Sequence, residues 1–378
     1  MRIAFLGTRG VPASYSGFET CAEELGSRLA AMGHEVTVYC RSHHVQYRPS
    51  TYRGMRLVKL PSIPSKHLDT ISHTLLSVLH GTMQRYDVYF VCGVGNSILL
   101  PLIRLAGGRS VINVDGLDFR RKKWGPGARL FLRRSQAWAA RFADEVISDS
   151  RAVQRYYEQT YGRSTPFIPY GCERPAPVGS ETLERFGLSS RGYVLVVGRL
   201  VPENCIHHVT RAFEGMSSRR GLKLVVVGDA PYAADYIREL KGTRDPDIIF
   251  TGYVFGDGYA QLMAGAYLCA VASEVGGTHP VLVEAMGLGN CVIVNDTEAN
   301  LEVVGDAGVP YPGVEGAQGM RPVLQALIDD PERVAALRGA AKRRALDAYG
   351  WDAVARSYLE VFERVAALRC DGSRGLSR

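Results

Sequence analysis

Tyr170-Gly171-Cys172-Glu173-Arg174-Pro175-Ala176-Pro177-Val178-Gly179-Ser180 divides the chain in two. Two glycines and two prolines in so short a stretch are the punctuation of a linker. On its N-terminal side, strand-like apolar runs are read at Arg2–Leu6, Glu35–Cys40, Arg56–Leu60, Val88–Cys92, Ser110–Val114, Glu145–Ser148 and Pro166–Pro169. On its C-terminal side the pattern restarts at Tyr193–Val197, Leu222–Val227, Asp247–Phe250, Leu268–Ala272, Cys291–Val294 and Val309–Tyr311. Helical spacing separates the runs: Ala22, Leu25, Leu29 and Met32 recur with the helical period, and Gly33 stops them. Strands alternating with helices build parallel α/β layers. A pattern that stops at a linker and begins again predicts two consecutive Rossmann-like doubly wound domains, residues 1–171 and 172–354, facing across a cleft. Asp330 to about Val365 reads as two terminal helices.

Composition agrees with this division. The chain has 378 residues, 46% of them hydrophobic, which suits two globular domains of about 100–200 residues each. Residues 1–171 hold 23 Lys+Arg against 12 Asp+Glu, whereas residues 172–378 hold 22 against 26. A basic first half points to an acidic partner. Eight cysteines are scattered without a C-x-x-C pair, several inside apolar runs, so buried reduced thiols are expected rather than disulfides or a metal site. Met1–Gly7 reads as a strand with no leader pattern, and no apolar run approaches the ~18 residues of a membrane span. A cytoplasmic protein is expected, at most peripheral at the inner face of the membrane.

In doubly wound sheets the ligand lies on the loops that leave the carboxyl ends of the strands. The first such loop, Gly7-Thr8-Arg9-Gly10-Val11-Pro12, lacks the G-x-G-x-x-G spacing of a dinucleotide site. The strand-two end is Arg41, where an NAD enzyme places an acid. Arg41 is compatible with a 2′-phosphate, but without the glycine spacing a dehydrogenase is disfavoured. The glycines let backbone amides approach a bound group, and Ser16-x-x-Glu19 has the form of a capping box.

The strongest local signal is Glu274-Val275-Gly276-Gly277-Thr278-His279-Pro280-Val281-Leu282-Val283-Glu284. A Gly-rich loop leaves a strand and Pro280 opens a helix, whose start favours phosphate. Glu284, one turn in, can accept two hydrogen bonds from a ribose diol; the plain alternative is a solvated helix Glu. Arg199, in Val197-Gly198-Arg199-Leu200, brings a phosphate-binding guanidinium to the same edge. Tyr253 and Val254 end another strand and can offer a ring or backbone groups to a base.

Taken together, these stretches resemble a family 4 glycosyltransferase of the GT-B fold, in particular the bacterial rhamnosyltransferase-like subgroup. Gly7–Pro12, Gly17-Phe18-Glu19-Thr20, Asp115-Gly116-Leu117-Asp118 and Lys123-Trp124-Gly125 carry the resemblance in the first half. Gly198-Arg199-Leu200-Val201-Pro202-Glu203-Asn204, Gly276 to Met286 and Trp351-Asp352 carry it in the second. The resemblance implies a hexosyl transferase with a nucleotide-sugar donor bound by the C-terminal domain and an acceptor bound by the N-terminal domain. It also implies a last helix (about 355–378) crossing back, retention at the anomeric carbon, and neither metal nor cofactor. On that pattern Arg199 grips the diphosphate, Glu284 holds the ribose, and amides from Gly277 through Thr278 to His279, ahead of Pro280, meet phosphate and sugar.

Two positions depart from the family pattern. Its first glutamate position is Gly276, and its lysine five residues after the strand-end arginine is Asn204. His279 is expected to supply part of the missing polarity. Asp115 is the candidate for orienting the acceptor hydroxyl or acting as base; its plain alternative is a turn Asp before Gly116. Gly7, Arg9, Gly10, Tyr15, Gly17 and Glu19 are expected near the acceptor, as are Arg120 and Arg121.

Arg120-Arg121-Lys122-Lys123-Trp124 and Arg133-Arg134, interleaved with Phe119, Leu130, Phe131 and Leu132, suit an anionic membrane surface and a glycan or polyprenyl-diphosphate-linked acceptor. No nucleic-acid motif accompanies the charge. The expected activity is moving a sugar, rhamnose or another deoxysugar among the candidates, onto such an acceptor in surface polysaccharide or glycoconjugate synthesis. The competing readings are a sugar-nucleotide epimerase-like relative, which forms product without acceptor, and a silent nucleotide-sugar binder.

Overall fold

The structure is a computed structural model in which all residues are described except 14–16, 66–67, 122–123, 173–178 and 373–378. It divides into two compact units, Met1–Tyr170 with Trp351–Arg378, and Gly171–Gly350.

The sheet of the first unit contains β1 (Arg2–Leu6), β2 (Glu35–Arg41), β3 (Thr51–Tyr52), β4 (Met55–Leu60), β5 (Val88–Cys92), β6 (Ser110–Asn113) and β7 (Glu145–Ile147). Their order is β3-β4-β2-β1-β5-β6-β7, parallel except for β3, which pairs antiparallel with β4. The second sheet contains β8 (Tyr193–Val197), β9 (Lys223–Val227), β10 (Ile248–Gly252), β11 (Leu268–Val271), β12 (Cys291–Asn295) and β13 (Val309–Tyr311). It runs β10-β9-β8-β11-β12-β13, parallel throughout. With the β3 hairpin set aside, both sheets have the 3-2-1-4-5-6 order of a doubly wound fold. The order reverses between β1 and β5 and between β8 and β11, so each unit opens a crevice at the carboxyl ends of those strands.

The strands form where the sequence is apolar on both faces, as parallel strands covered by helices require. Leu224, Val225 and Val226 in β9 are fully buried, as are Val194 and Leu195 in β8. In the first unit, Phe5 and Phe90 meet edge to face with centroids 5.0 Å apart, and Phe90 also meets Tyr358 at 5.4 Å and Phe362 at 5.5 Å. These contacts seat the last helix, Trp351–Gly372, on the same sheet face as Gly17–Ala31. The helices Asp69–Gln84, Leu100–Leu105 and Pro126–Phe142 bury Val78, Leu100, Ile103 and Leu132 against the opposite face.

Two elements differ from the sequence expectation. Pro166–Pro169 is not a strand: prolines at both ends lack the N–H a ladder needs, and only Phe167 bridges to Ser148. The short strand β3 was not anticipated. It is turned by Arg53 (φ 46°) and Gly54 (φ 80°), two left-handed residues that fit a two-residue hairpin turn.

Candidate functional site

In the second unit the strand-end loops are tied to one another by short polar contacts. Gly198 follows β8 and packs so closely on Gly228, after β9, that a Cβ at Gly228 would collide with the Gly198 carbonyl. The Asn204 amide donates to the Arg199 carbonyl at 2.8 Å, and Ser273 Oγ donates to Asn204 Oδ1 at 3.3 Å. Asn204 therefore joins the loop after β8 to the loop after β11, donating to the Arg199 carbonyl and accepting from the Ser273 hydroxyl, an acceptor role that a lysine ammonium lacks. The Arg199 guanidinium stands half-buried at that crevice and enters no ion pair among the described residues.

Beyond β11 the loop reaches Gly276, Gly277, Thr278 and His279, and the helix Pro280–Gly287 begins with proline at its first position. A Cβ on Gly276 would lie 2.5 Å from Cε1 and 2.9 Å from Nε2 of His279. The imidazole thus occupies the space into which a side chain at 276 would grow. Glu284 is 7% exposed, and its Oε2 accepts a hydrogen bond from Tyr259 Oη at 2.6 Å. It is a held carboxylate rather than a solvated one. Tyr253 donates to the Asp229 carbonyl at 2.9 Å and stacks on Phe255, with centroids 5.6 Å apart and planes 17° from parallel. Both rings are largely exposed beside half-buried Val254.

In the first unit, Gly7 (φ 89°) and Gly10 (φ 116°) hold left-handed backbone at close approaches. A Cβ on Gly7 would run into the Cys92 carbonyl, and one on Gly10 would lie 2.5 Å from Cys40 Sγ. The Arg9 N–H donates to Glu19 Oε1 at 2.8 Å. Glu19, on the helix that starts at Gly17, is 3% exposed; it supports the loop from beneath. Tyr15 and Ser16 lie outside the described residues, and so does the expected capping box, since the described Glu19 bond goes to Arg9. Arg41 pairs with Asp69 at 2.7 Å and with Thr70 at 3.0 Å, which commits its guanidinium inside the unit.

Asp115 follows β6 with φ 57°, a conformation costly for a residue with a side chain. Its N–H donates to Asn113 Oδ1 at 2.9 Å, and Asn113 Nδ2 donates to Tyr358 Oη at 2.9 Å. The last helix therefore fixes the turn that presents Asp115. Burial first, and then the Asp115 charge, push the Tyr170 phenol well above its usual range. Arg120 is exposed. Arg121 is 8% exposed and bonds Asp118 Oδ1 at 2.5 Å. Lys122 and Lys123 lie outside the described residues.

Among the described residues one group, His43, His44 and Asp69, gathers potential metal-ligand atoms. Burial would raise the Asp69 pKa, but Ser62, Arg41 and His44 outweigh it and bring it to about 2. That carboxylate is held by an ion pair with Arg41 and by hydrogen bonds with Ser62 and His44. The seven described cysteines are buried and free.

Sequence reasoning missed Tyr259, Ser273 and Phe255. Tyr259 carries no local signal, because its partner Glu284 is distant in sequence.

Residues 1–173 match a domain of unknown function (DUF1972), and residues 191–330 match the family "Glycosyl transferases group 1". The O-antigen chain mannosyltransferase B of Escherichia coli is 28% identical over 50% of this chain and 49% of its own length. The GDP-mannose-dependent alpha-(1-6)-phosphatidylinositol monomannoside mannosyltransferase of Mycolicibacterium smegmatis is 26% identical over 92% of this chain and 94% of its own. The chain thus spans about half the length of the first relative and nearly all of the second. Among solved structures, sucrose-phosphate synthase of Thermosynechococcus elongatus superposes with a TM-score of 0.81 at 18% identity, covering 97% of this chain and 99% of that one. Anabaena HepE in complex with UDP-glucose superposes with a TM-score of 0.78 at 21% identity, covering 96% and 100%.

The fold is the GT-B fold of these solved structures. More particularly, the second unit carries a glycosyl transferases group 1 domain at residues 191–330. Among the described residues no helix is long and apolar enough to cross a membrane.

Proposed function

We propose that the protein transfers a hexosyl group from a nucleoside-diphosphate sugar to a glycan or lipid-linked glycan at an anionic membrane surface, with retention and without a metal or cofactor. The observation that carries this reading is the set of groups at the carboxyl edge of the second sheet: the unpaired Arg199 guanidinium, the glycine loop opening the helix Pro280–Gly287, and the held Glu284 carboxylate. The guanidinium and the helix N-terminus meet the diphosphate. Glu284 accepts from the ribose hydroxyls, with Tyr259 holding its second oxygen. Exposed Tyr253 and Phe255 stand where a base can stack.

In the transfer, the bond from the anomeric carbon to the diphosphate oxygen breaks and a bond to the acceptor oxygen forms on the same face. The acceptor proton passes to the departing diphosphate. Arg199 and the helix dipole stabilise the charge that develops on the diphosphate. Asp115, held by Asn113, orients the acceptor hydroxyl. His279 contributes polarity beside the donor sugar, where the imidazole fills the space left by Gly276.

The relative that matches 92% of this chain bears the name of a GDP-mannose-dependent enzyme, so GDP-mannose is the first donor to test. dTDP-rhamnose, favoured by the subgroup resemblance, is the second. Radiolabelled donor incubated with membrane lipid extract, with and without EDTA, tests the reading. EDTA-resistant, acceptor-dependent transfer is expected; product without acceptor, or a metal requirement, contradicts it.

A further inference from the structure

The described residues that expose large apolar side chains concentrate on one face of the first unit. Helix Asp69–Gln84 presents Leu79 and Met83, helix Leu100–Leu105 presents Leu105, and helix Pro126–Phe142 presents Leu130, Phe131 and Trp138. Met83 is 72% exposed and Leu105 is 84% exposed, too open for core positions. The three helices pack their inner sides into one cluster on the same sheet face, so their outer sides form one surface. Contiguous exposed apolar area of this kind marks an interaction site.

The charge on that surface has one sign. Arg104, Arg129, Arg133, Arg134 and Arg141 are exposed, and none is in an ion pair among the described residues. Helices Leu100–Leu105 and Pro126–Phe142 carry no acidic residue. The single acid of Asp69–Gln84 is Asp69, already paired with Arg41. Between the apolar side chains, Ile98, Gly127, Leu130, Phe131, Arg134 and Trp138 line an open apolar hollow of about 320 Å³.

We infer that this three-helix face docks on an anionic lipid bilayer, its leucines and Trp138 entering the headgroup–acyl boundary while the five arginines meet lipid phosphates. A protein partner with an acidic rim would need an apolar core; a bilayer supplies both to a surface of this breadth. The inference corrects the placement drawn from sequence, since Arg121 and Leu132 are buried. It rests on the membrane partner proposed above and not on the sugar chemistry.

Co-sedimentation with phosphatidylcholine vesicles, with and without phosphatidylglycerol, tests it on the full chain. Binding to the anionic vesicles is expected, weakening with salt. Leu105→Glu, Leu130→Glu and Trp138→Glu should each weaken it about tenfold, from the apolar burial lost, with thermal unfolding unchanged in the two leucine variants, whose side chains are 84% and 53% exposed. Val314→Glu, at a 97% exposed position of the second unit, should bind like the parent. Failure to bind anionic vesicles at low salt overturns the inference, as does binding that the three substitutions leave intact. A dimer that Leu130→Glu dissociates, with no vesicle binding by the parent, would assign the face to a second copy instead. Retained nucleotide binding in any of these cases leaves the donor site standing.

Discussion

Gly276 and His279 share one volume: a Cβ on the glycine would lie 2.5 Å from Cε1 of the imidazole. The loop ahead of the helix Pro280–Gly287 therefore has room for one side chain, and this chain gives that room to histidine. Gly276→Glu, which restores the family's acid, must displace the ring. We expect Gly276→Ala and His279→Ala each to lower kcat/KM about ten- to hundredfold, with the double variant close to either single one, because both act on the same imidazole. A double-mutant cycle of initial rates checks this; additive losses would separate the two residues.

Glu284 Oε2 accepts a hydrogen bond from Tyr259 Oη at 2.6 Å, and the proposed donor site gives this carboxylate the ribose hydroxyls. Glu284→Gln should weaken nucleotide binding about ten- to hundredfold, the value of one or two charge-assisted hydrogen bonds. Tyr259→Phe should weaken it less, since only the orientation of the carboxylate is relaxed. Calorimetric titration with the nucleoside diphosphate measures both, and the 2′-deoxy nucleotide should lose most of the difference.

Asn204 is a fastener between two loops, at the position where the family pattern that the sequence resembles has lysine. Asn204→Lys should restore a cation near the diphosphate yet remove bonds at 2.8 and 3.3 Å. A loss of about 1–2 kcal/mol is expected, read as a fall in Tm of about 2–8 °C. An unchanged Tm would mean that the loops are held by other contacts.

Much of this architecture is legible in the sequence because β8, β9 and β12 are buried on both faces and so read as unbroken apolar runs. The strand β3 was not, since two residues and a polar turn leave no pattern. Glu19, Arg41 and Asn204 show the limit at the site. Sequence places them on the ligand edge and gives Glu19 a capping role as well, but only folded geometry shows the bonds to Arg9, Asp69 and Arg199. Of the three-helix face, sequence marks only Leu130, Phe131, Arg133 and Arg134; Leu79, Met83, Leu105 and Trp138 escape because apolar residues at helical spacing look alike whether they face core or solvent.

His73 is fully buried, and burial first, then the charge of Arg41, push its pKa down to about 4. The unfolded imidazole titrates near 6.5, so between about pH 6.5 and 4 the unfolded chain binds the extra proton. Stability is then present above that window and falls as the pH drops through it. His73→Gln should flatten this part of a Tm-against-pH curve. A parent curve that is already flat between those limits would remove His73 from the acid sensitivity.

Donor capture by the second unit is tested most directly by thermal unfolding with GDP, UDP, dTDP and their sugar conjugates, for the parent and Arg199→Ala. A ligand that binds only the folded chain stabilises it by about 2.7 kcal/mol at a hundredfold excess over Kd. We predict a clear rise in Tm with one nucleotide class, larger for the diphosphate than for the nucleoside, and largely lost in Arg199→Ala. No rise with any of them, or a rise that Arg199→Ala leaves intact, would contradict a diphosphate site at this edge.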